Sequence, residues 1–95
     1  MNARRRVDIP ADVRTYLSGL HPEHKRRIRA ALRHIGEHPE DGKALELELT
    51  GLRTYHVKPY RIVYGEERGM IVVRGIGPRR EIYEVLTESI RKRAG

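Results

Sequence analysis

Gly51-Leu52-Arg53-Thr54-Tyr55-His56-Val57-Lys58-Pro59-Tyr60-Arg61-Ile62-Val63-Tyr64 is the stretch whose reading decides the fold. From Arg53 to Lys58 the residues alternate, with Tyr55 and Val57 on one face and His56 and Lys58 on the other. Pro59 follows, so a tight reversal brings Tyr60 to Tyr64 back as the second strand of a hairpin. Gly65 to Gly69, carrying Glu66, Glu67 and Arg68, forms a second turn. Met70 to Ile76 is a β-branched run of the kind that fills a central strand.

Working outward towards the start, Arg4 to Ile9 is a short strand ended by Pro10. Val13, Tyr16, Leu17 and Leu20 then fall at the spacing of one helix face. His21-Pro22 breaks that helix, and Pro22 suits the first position of a second, with Glu23 favourable at its N-terminal dipole. Ile28, Ala31, Leu32 and Ile35 form its buried stripe, and Gly36 and Pro39 end it. Two helices so closely joined pack as an antiparallel hairpin. Glu40 to Leu52 starts with turn residues. The Leu/Glu alternation from Leu45 to Leu49 fits a strand, but we read it as a connection held down by leucines. At the other end Ile82, Val85, Leu86 and Ile90 mark a short amphipathic helix with a basic tail. The order is β-α-α-β-β-β-α, one α+β domain over residues 1–95. Its helical hairpin is expected on one face of a mostly antiparallel four-stranded sheet. The opposite face carries His56 and Lys58 and is where a site is expected.

Composition narrows the class. Ninety-five residues make one domain whose core, lacking Phe and Trp, must come from aliphatic side chains and five Tyr. Without cysteine there is no disulfide framework and no thiolate metal site, which fits a reducing cytoplasm. No apolar run approaches the ~18 residues that span a bilayer, so a cytoplasmic protein without membrane contact is expected. The net charge is +7, and 16 of the 20 cations are Arg. Arg forks match phosphate geometry, so polyanions or an acidic protein partner are expected; a well-solvated Arg-rich surface is the alternative.

Several constellations bear on chemistry. His56, Lys58, Arg61, Arg79 and Arg80, with Tyr83, bring together what metal-free RNA cleavage requires. A base takes the 2′-hydroxyl proton, cations hold the charge on the phosphorane, and an acid protonates the leaving oxygen. Lys58 or His56 suits the base, Arg61 a phosphate clamp, and Tyr83 a stacking platform for a splayed base. Arg79 suits a clamp better than an acid, because an Arg pKa exceeds ~12. Arg53, Arg74 and Arg80 are further expected RNA contacts. On residue types alone, a solvated sheet face with a basic tail explains the same cations. His34 and His38 are four apart and His21 and His24 three apart, but no third ligand accompanies either pair, so no metal is expected. Gly75-Ile76-Gly77 lacks the rest of a phosphate loop and is read as a bend at a strand end. No cofactor is expected.

The helical hairpin, Pro39-Glu40-Asp41-Gly42-Lys43-Ala44-Leu45, Gly51 to Tyr55, Tyr60 to Tyr64 and Ile76-Gly77-Pro78-Arg79-Arg80-Glu81-Ile82-Tyr83 recur in this order in one family. In these segments the chain resembles the RelE/ParE superfamily of toxins from prokaryotic toxin–antitoxin pairs, over nearly its whole length. The resemblance implies a β-α-α-β-β-β core with a mobile C-terminal helix, and neutralisation by a cognate antitoxin, here expected to be acidic. Operator DNA binding by the toxin–antitoxin complex is expected too. Two functions occur in the superfamily. The RelE branch cleaves mRNA in the ribosomal A site, and the ParE branch inhibits DNA gyrase. The residues that work in the RelE branch fall here on His56, Lys58, Arg61, Arg79 and Tyr83, which favours that branch. His56 stands where one well-known pattern has Lys, the Lys58-Pro59 turn is shorter than usual, and either Arg79 or Arg80 can fill the clamp position.

Overall fold

The structure, a computed structural model, describes residues 4–78 and 81–94. Met1, Asn2, Ala3 and Gly95 lie outside the described residues, as do Arg79 and Arg80, two of the expected site residues. The elements run β1 (Val7–Asp8), α1 (Ala11–Ser18), α2 (Pro22–Glu37), β2 (Lys43–Ala44), β3 (Arg53–Val57), β4 (Tyr60–Glu67), β5 (Met70–Pro78) and α3 (Glu81–Ala94). Single 3-10 turns at Pro39–Asp41 and Leu47–Leu49 flank β2.

Local chemistry explains the helix boundaries. Pro10 precedes α1, and Asp12 sits in its first turn, where the dipole favours an anion. The imidazole Nδ1 of His21 accepts the Glu23 N–H at 3.1 Å and caps α2, with Pro22 in the first turn. The α2 stripe is the expected one, and Ile28, Ala31, Leu32 and Ile35 are all buried. They pack with Val13 of α1 onto Ile62 and Tyr64 of β4 and Ile71, Val73 and Ile76 of β5. Leu45 to Leu49 is a connection, as read, although only Leu49 is buried and Leu47 stands out in solvent.

The α+β class and the helical hairpin on one sheet face match expectation, but the sheet has five strands rather than four. Their order is β1-β5-β4-β3-β2, antiparallel except for the β1–β5 pair. The added strand is β2, where Lys43 and Ala44 pair with Thr54 and Arg53. At the other edge only Val7 and Asp8 of the expected Arg4 to Ile9 strand join the ladder.

β5 continues to Pro78, and its glycines do not mark a bend at its end. Tyr64 pairs with Val73 and Val63 with Gly75, so Arg74 is an extra, bulged residue. The bulge resets the alternation. Ile76 then joins Ile62 on the core face, while Gly75 and Gly77 turn to the opposite face under α3. A Cβ on Gly75 would lie 2.9 Å from Ile82 Cδ1 and 3.5 Å from Leu86 Cδ1. Glycine there lets the apolar side of α3 settle onto the sheet. The helical hairpin thus covers one sheet face, and α3 covers part of the other.

Candidate functional site

Beyond the N-terminal turn of α3, the face opposite the helical hairpin stays open. His56 of β3 pairs directly with Arg61 of β4, which pairs on its other side with Gly77 of β5. Directly paired residues share a face, so imidazole and guanidinium project together, and Gly77 adds no side chain beside them. Lys43 pairs with Thr54 and therefore belongs to the same face, one strand further out. The Arg61 guanidinium lies over the ring of Tyr83, 5.2 Å from its centroid, a cation–π contact. The Tyr83 hydroxyl donates to Thr54 Oγ1 at 3.0 Å, and Thr54 is buried. The first turn of α3 is thereby fixed to β3 and β4.

The charges that act on His56 are of one sign. Partial burial pushes the His56 pKa down, and the cations Arg61, Lys43 and Lys58 push it further the same way. Both effects favour the neutral imidazole, the form that can accept a proton. Lys58 is exposed in the two-residue loop between Val57 and Tyr60, and the Lys58–Pro59 peptide is cis.

The structure thus brings His56, Arg61 and Tyr83 together, with Lys58 at the adjoining turn. Two expected RNA contacts stand elsewhere. Arg53 belongs to the Tyr55–Val57 side of β3, and its guanidinium donates to the Gly42 carbonyl at 2.7 Å. Arg74, at the bulge, is paired with Glu67 at 2.5 Å. Lys43 is the functional candidate that sequence reasoning missed. Its only signal was its place just after the Glu-Asp-Gly turn, where a second strand can start.

The histidines outside this face have local partners. His34 Nε2 lies 2.6 Å from Asp41 Oδ2, His38 Nδ1 lies 3.6 Å from Glu40, and His24 Nδ1 lies 2.9 Å from the Tyr60 hydroxyl. Among the described residues no three His, Cys, Asp or Glu side chains converge as a metal would require. Among the same residues no helix is long and apolar enough to cross a membrane.

Comparison with known proteins bears on this arrangement. The family model described as "ParE toxin of type II toxin-antitoxin system, parDE" matches residues 11–83. A solved structure of the toxin–antitoxin complex RelBE2 from Mycobacterium tuberculosis is similar at 21% identity and a TM-score of 0.73, covering 81% of this chain and 100% of that one. The archaeal RelE–RelB complex from Pyrococcus horikoshii is 26% identical with a TM-score of 0.66, covering 82% of this chain and 98% of the other. A mutant of the E. coli toxin RelE in the free state is 18% identical with a TM-score of 0.74, covering 93% and 99%. Among curated proteins, none matches.

Proposed function

We propose, from the premise that this chain belongs to the ParE toxin family of type II toxin–antitoxin systems, that it is a toxin acting as an endoribonuclease on ribosome-bound mRNA. The observation that carries this reading is the direct pairing of His56 with Arg61 on the open sheet face, beside Lys43 and the Lys58 turn, whose cations lower the His56 pKa. In the step it supports, His56 takes the proton of a 2′-hydroxyl as that oxygen attacks the adjacent phosphorus. The bond to the 5′-oxygen breaks, and that oxygen is protonated from solvent, leaving a 2′,3′-cyclic phosphate and a 5′-hydroxyl. Arg61 and Lys58, joined by Arg79, hold the charge that builds on the phosphorane. A base of this kind contributes ~10² to 10⁴ in rate. The incoming phosphate also offsets the cationic field around His56, which raises its proton affinity as the transfer proceeds.

Tyr83 supplies an aromatic ring beside the cleavage point, one side of it held by Arg61. An RNA base reaches it by stacking on the other side or by displacing the guanidinium. The partner that silences the toxin is an acidic antitoxin, in keeping with the +7 charge and with two similar structures being toxin–antitoxin complexes.

Primer extension on mRNA from programmed ribosomes tests the reading. Cuts with the wild-type chain that vanish with Arg61→Ala are expected; intact mRNA with the wild-type chain overturns it. The matching family is named for ParE, and this favours a second reading in which the chain inhibits DNA gyrase and cleaves nothing. Loss of gyrase supercoiling, unchanged by His56→Ala and without RNA cuts, is its signature.

A further inference from the structure

The segment before β1 carries Arg4, Arg5 and Arg6, and the fold lays it along the C-terminal half of α2. Gly36 makes the approach possible. A Cβ there would lie 3.1 Å from the Arg5 carbonyl oxygen and 3.2 Å from Val7 Cγ2. The Gly36 carbonyl accepts the Arg5 N–H at 2.9 Å, and the Arg6 carbonyl accepts the Ile71 N–H at 2.9 Å. Backbone held on both sides fixes which way the side chains go. Arg5 pairs with Glu66 at 2.6 Å, while Arg4 and Arg6 are exposed. Across from them stand Arg29 and Arg33, exposed and one turn apart on α2. Between the two rows runs a cleft of about 560 Å³ with Val7, Ile9 and Leu32 in its lining. Among the described residues, Arg4, Arg6, Arg29 and Arg33 have no carboxylate within 4.0 Å.

We propose that this cleft is a second phosphate-binding site, one that holds the sugar–phosphate backbone of a structured nucleic acid. Residues two apart on extended chain are separated by roughly 6.5 Å, and residues four apart on a helix by roughly 6 Å. The cleft thus has Arg4 and Arg6 on one wall and Arg29 and Arg33 on the other, anchored at similar backbone spacing with Arg5 also in the lining, which suits a repeating polyanion. Gathering like charges around an empty groove is unfavourable, and a chain of phosphates reverses that cost. An acidic peptide fits less well. It would need apolar anchors, yet Leu32 is already buried in the core and Val7 and Ile9 pack against it. The cleft borders β1, at the opposite end of the sheet from β3 and His56. Its occupation is independent of whether the His56–Arg61 face cleaves RNA.

Fluorescence anisotropy of the full chain with a labelled RNA hairpin, a DNA duplex of the same sequence and poly-glutamate, each over about 50 to 200 mM KCl, provides the test. Arg29→Gln/Arg33→Gln should weaken nucleic-acid binding at least about tenfold. It should also lower the slope of log K against log salt by roughly 1.4 to 1.8, two phosphates' worth. Arg29→Lys/Arg33→Lys should restore most of that slope. Arg68→Gln/Arg91→Gln removes the same charge elsewhere and should change little. Greater loss on RNA or on DNA identifies the source of the backbone, and either supports the site. Unchanged binding, equal loss in the control pair, or loss confined to poly-glutamate overturns it. Circular dichroism confirms that α2 persists in each variant, and because the readout is binding, an absence of cleavage does not bear on the result.

Discussion

His56 and Arg61 are direct partners across the β3–β4 ladder, so a proton acceptor and a permanent cation share one patch of sheet. The folded-state pKa of His56 is lowered, whereas the unfolded chain keeps a value near about 6.5. As pH falls through that unfolded value, the unfolded chain takes up a proton that the native chain refuses, so stability declines there and is unaffected above it. The same lowering keeps the base neutral into mildly acidic solution. An NMR titration of the His56 ring should give a midpoint below about 6.5, and the acid limb of kcat/KM for cleavage should follow it. Lys43→Gln should move both upward. A His56 midpoint that ignores Lys43 would refute the shared field.

Arg61 and Arg53 occupy neighbouring strands but serve opposite sides of the sheet. Arg61→Ala should lower mRNA cleavage on the order of 10² to 10³, as loss of a preorganised charge does, with little change in melting temperature. Arg53→Ala removes the donor to the Gly42 carbonyl and should cost stability on the order of 1 kcal/mol while sparing cleavage. Chemical denaturation alongside primer extension separates the two effects. The reverse pattern would place RNA on the Arg53 side.

The Tyr83 hydroxyl and ring make separable contributions. Tyr83→Phe keeps the ring beneath Arg61 but leaves the buried Thr54 hydroxyl without its partner, for a loss of roughly 1 kcal/mol in urea unfolding. If the ring stacks on RNA, cleavage by the Phe variant should stay within a few fold of wild type and Tyr83→Ala should fall well below it. Equal cleavage by both variants would remove Tyr83 from substrate binding.

Gly75→Ala should loosen α3, because the new methyl would meet Ile82 at 2.9 Å. Amide hydrogen exchange should quicken across residues 81–94 more than in α2. Protection in α3 equal to wild type would mean that Ile82 simply turns aside.

How much of this the sequence displays depends on the length of each pattern. The α2 stripe of Ile28, Ala31, Leu32 and Ile35 spans two full turns and was plain. The hairpin from Arg53 to Tyr64 alternates long enough to place His56 opposite Tyr55 and Val57. β2 has two residues, too few for any period to register, so Lys43 does not stand out in the sequence although its charge bears on His56. Arg53 follows the alternation correctly, but a cation does not reveal from sequence that a carbonyl awaits it. Gly75 and Gly77 announced tight backbone without saying against what. The answer was a helix that follows them in the chain, a contact no local spacing encodes.

The surplus residue at Arg74 has a wider bearing. Because of it, one strand meets the hydrophobic interior with Ile76 and the helix-bearing surface with Gly75 and Gly77. Were Arg74 to take a regular place in the ladder opposite Val63, these assignments would be exchanged. The glycines would then open holes in the interior, and Ile76 would be thrust at α3. The bulge in β5 therefore acts as a shared clock for two surfaces. A substitution can alter one of them alone, but a one-residue slip in register puts both out of time.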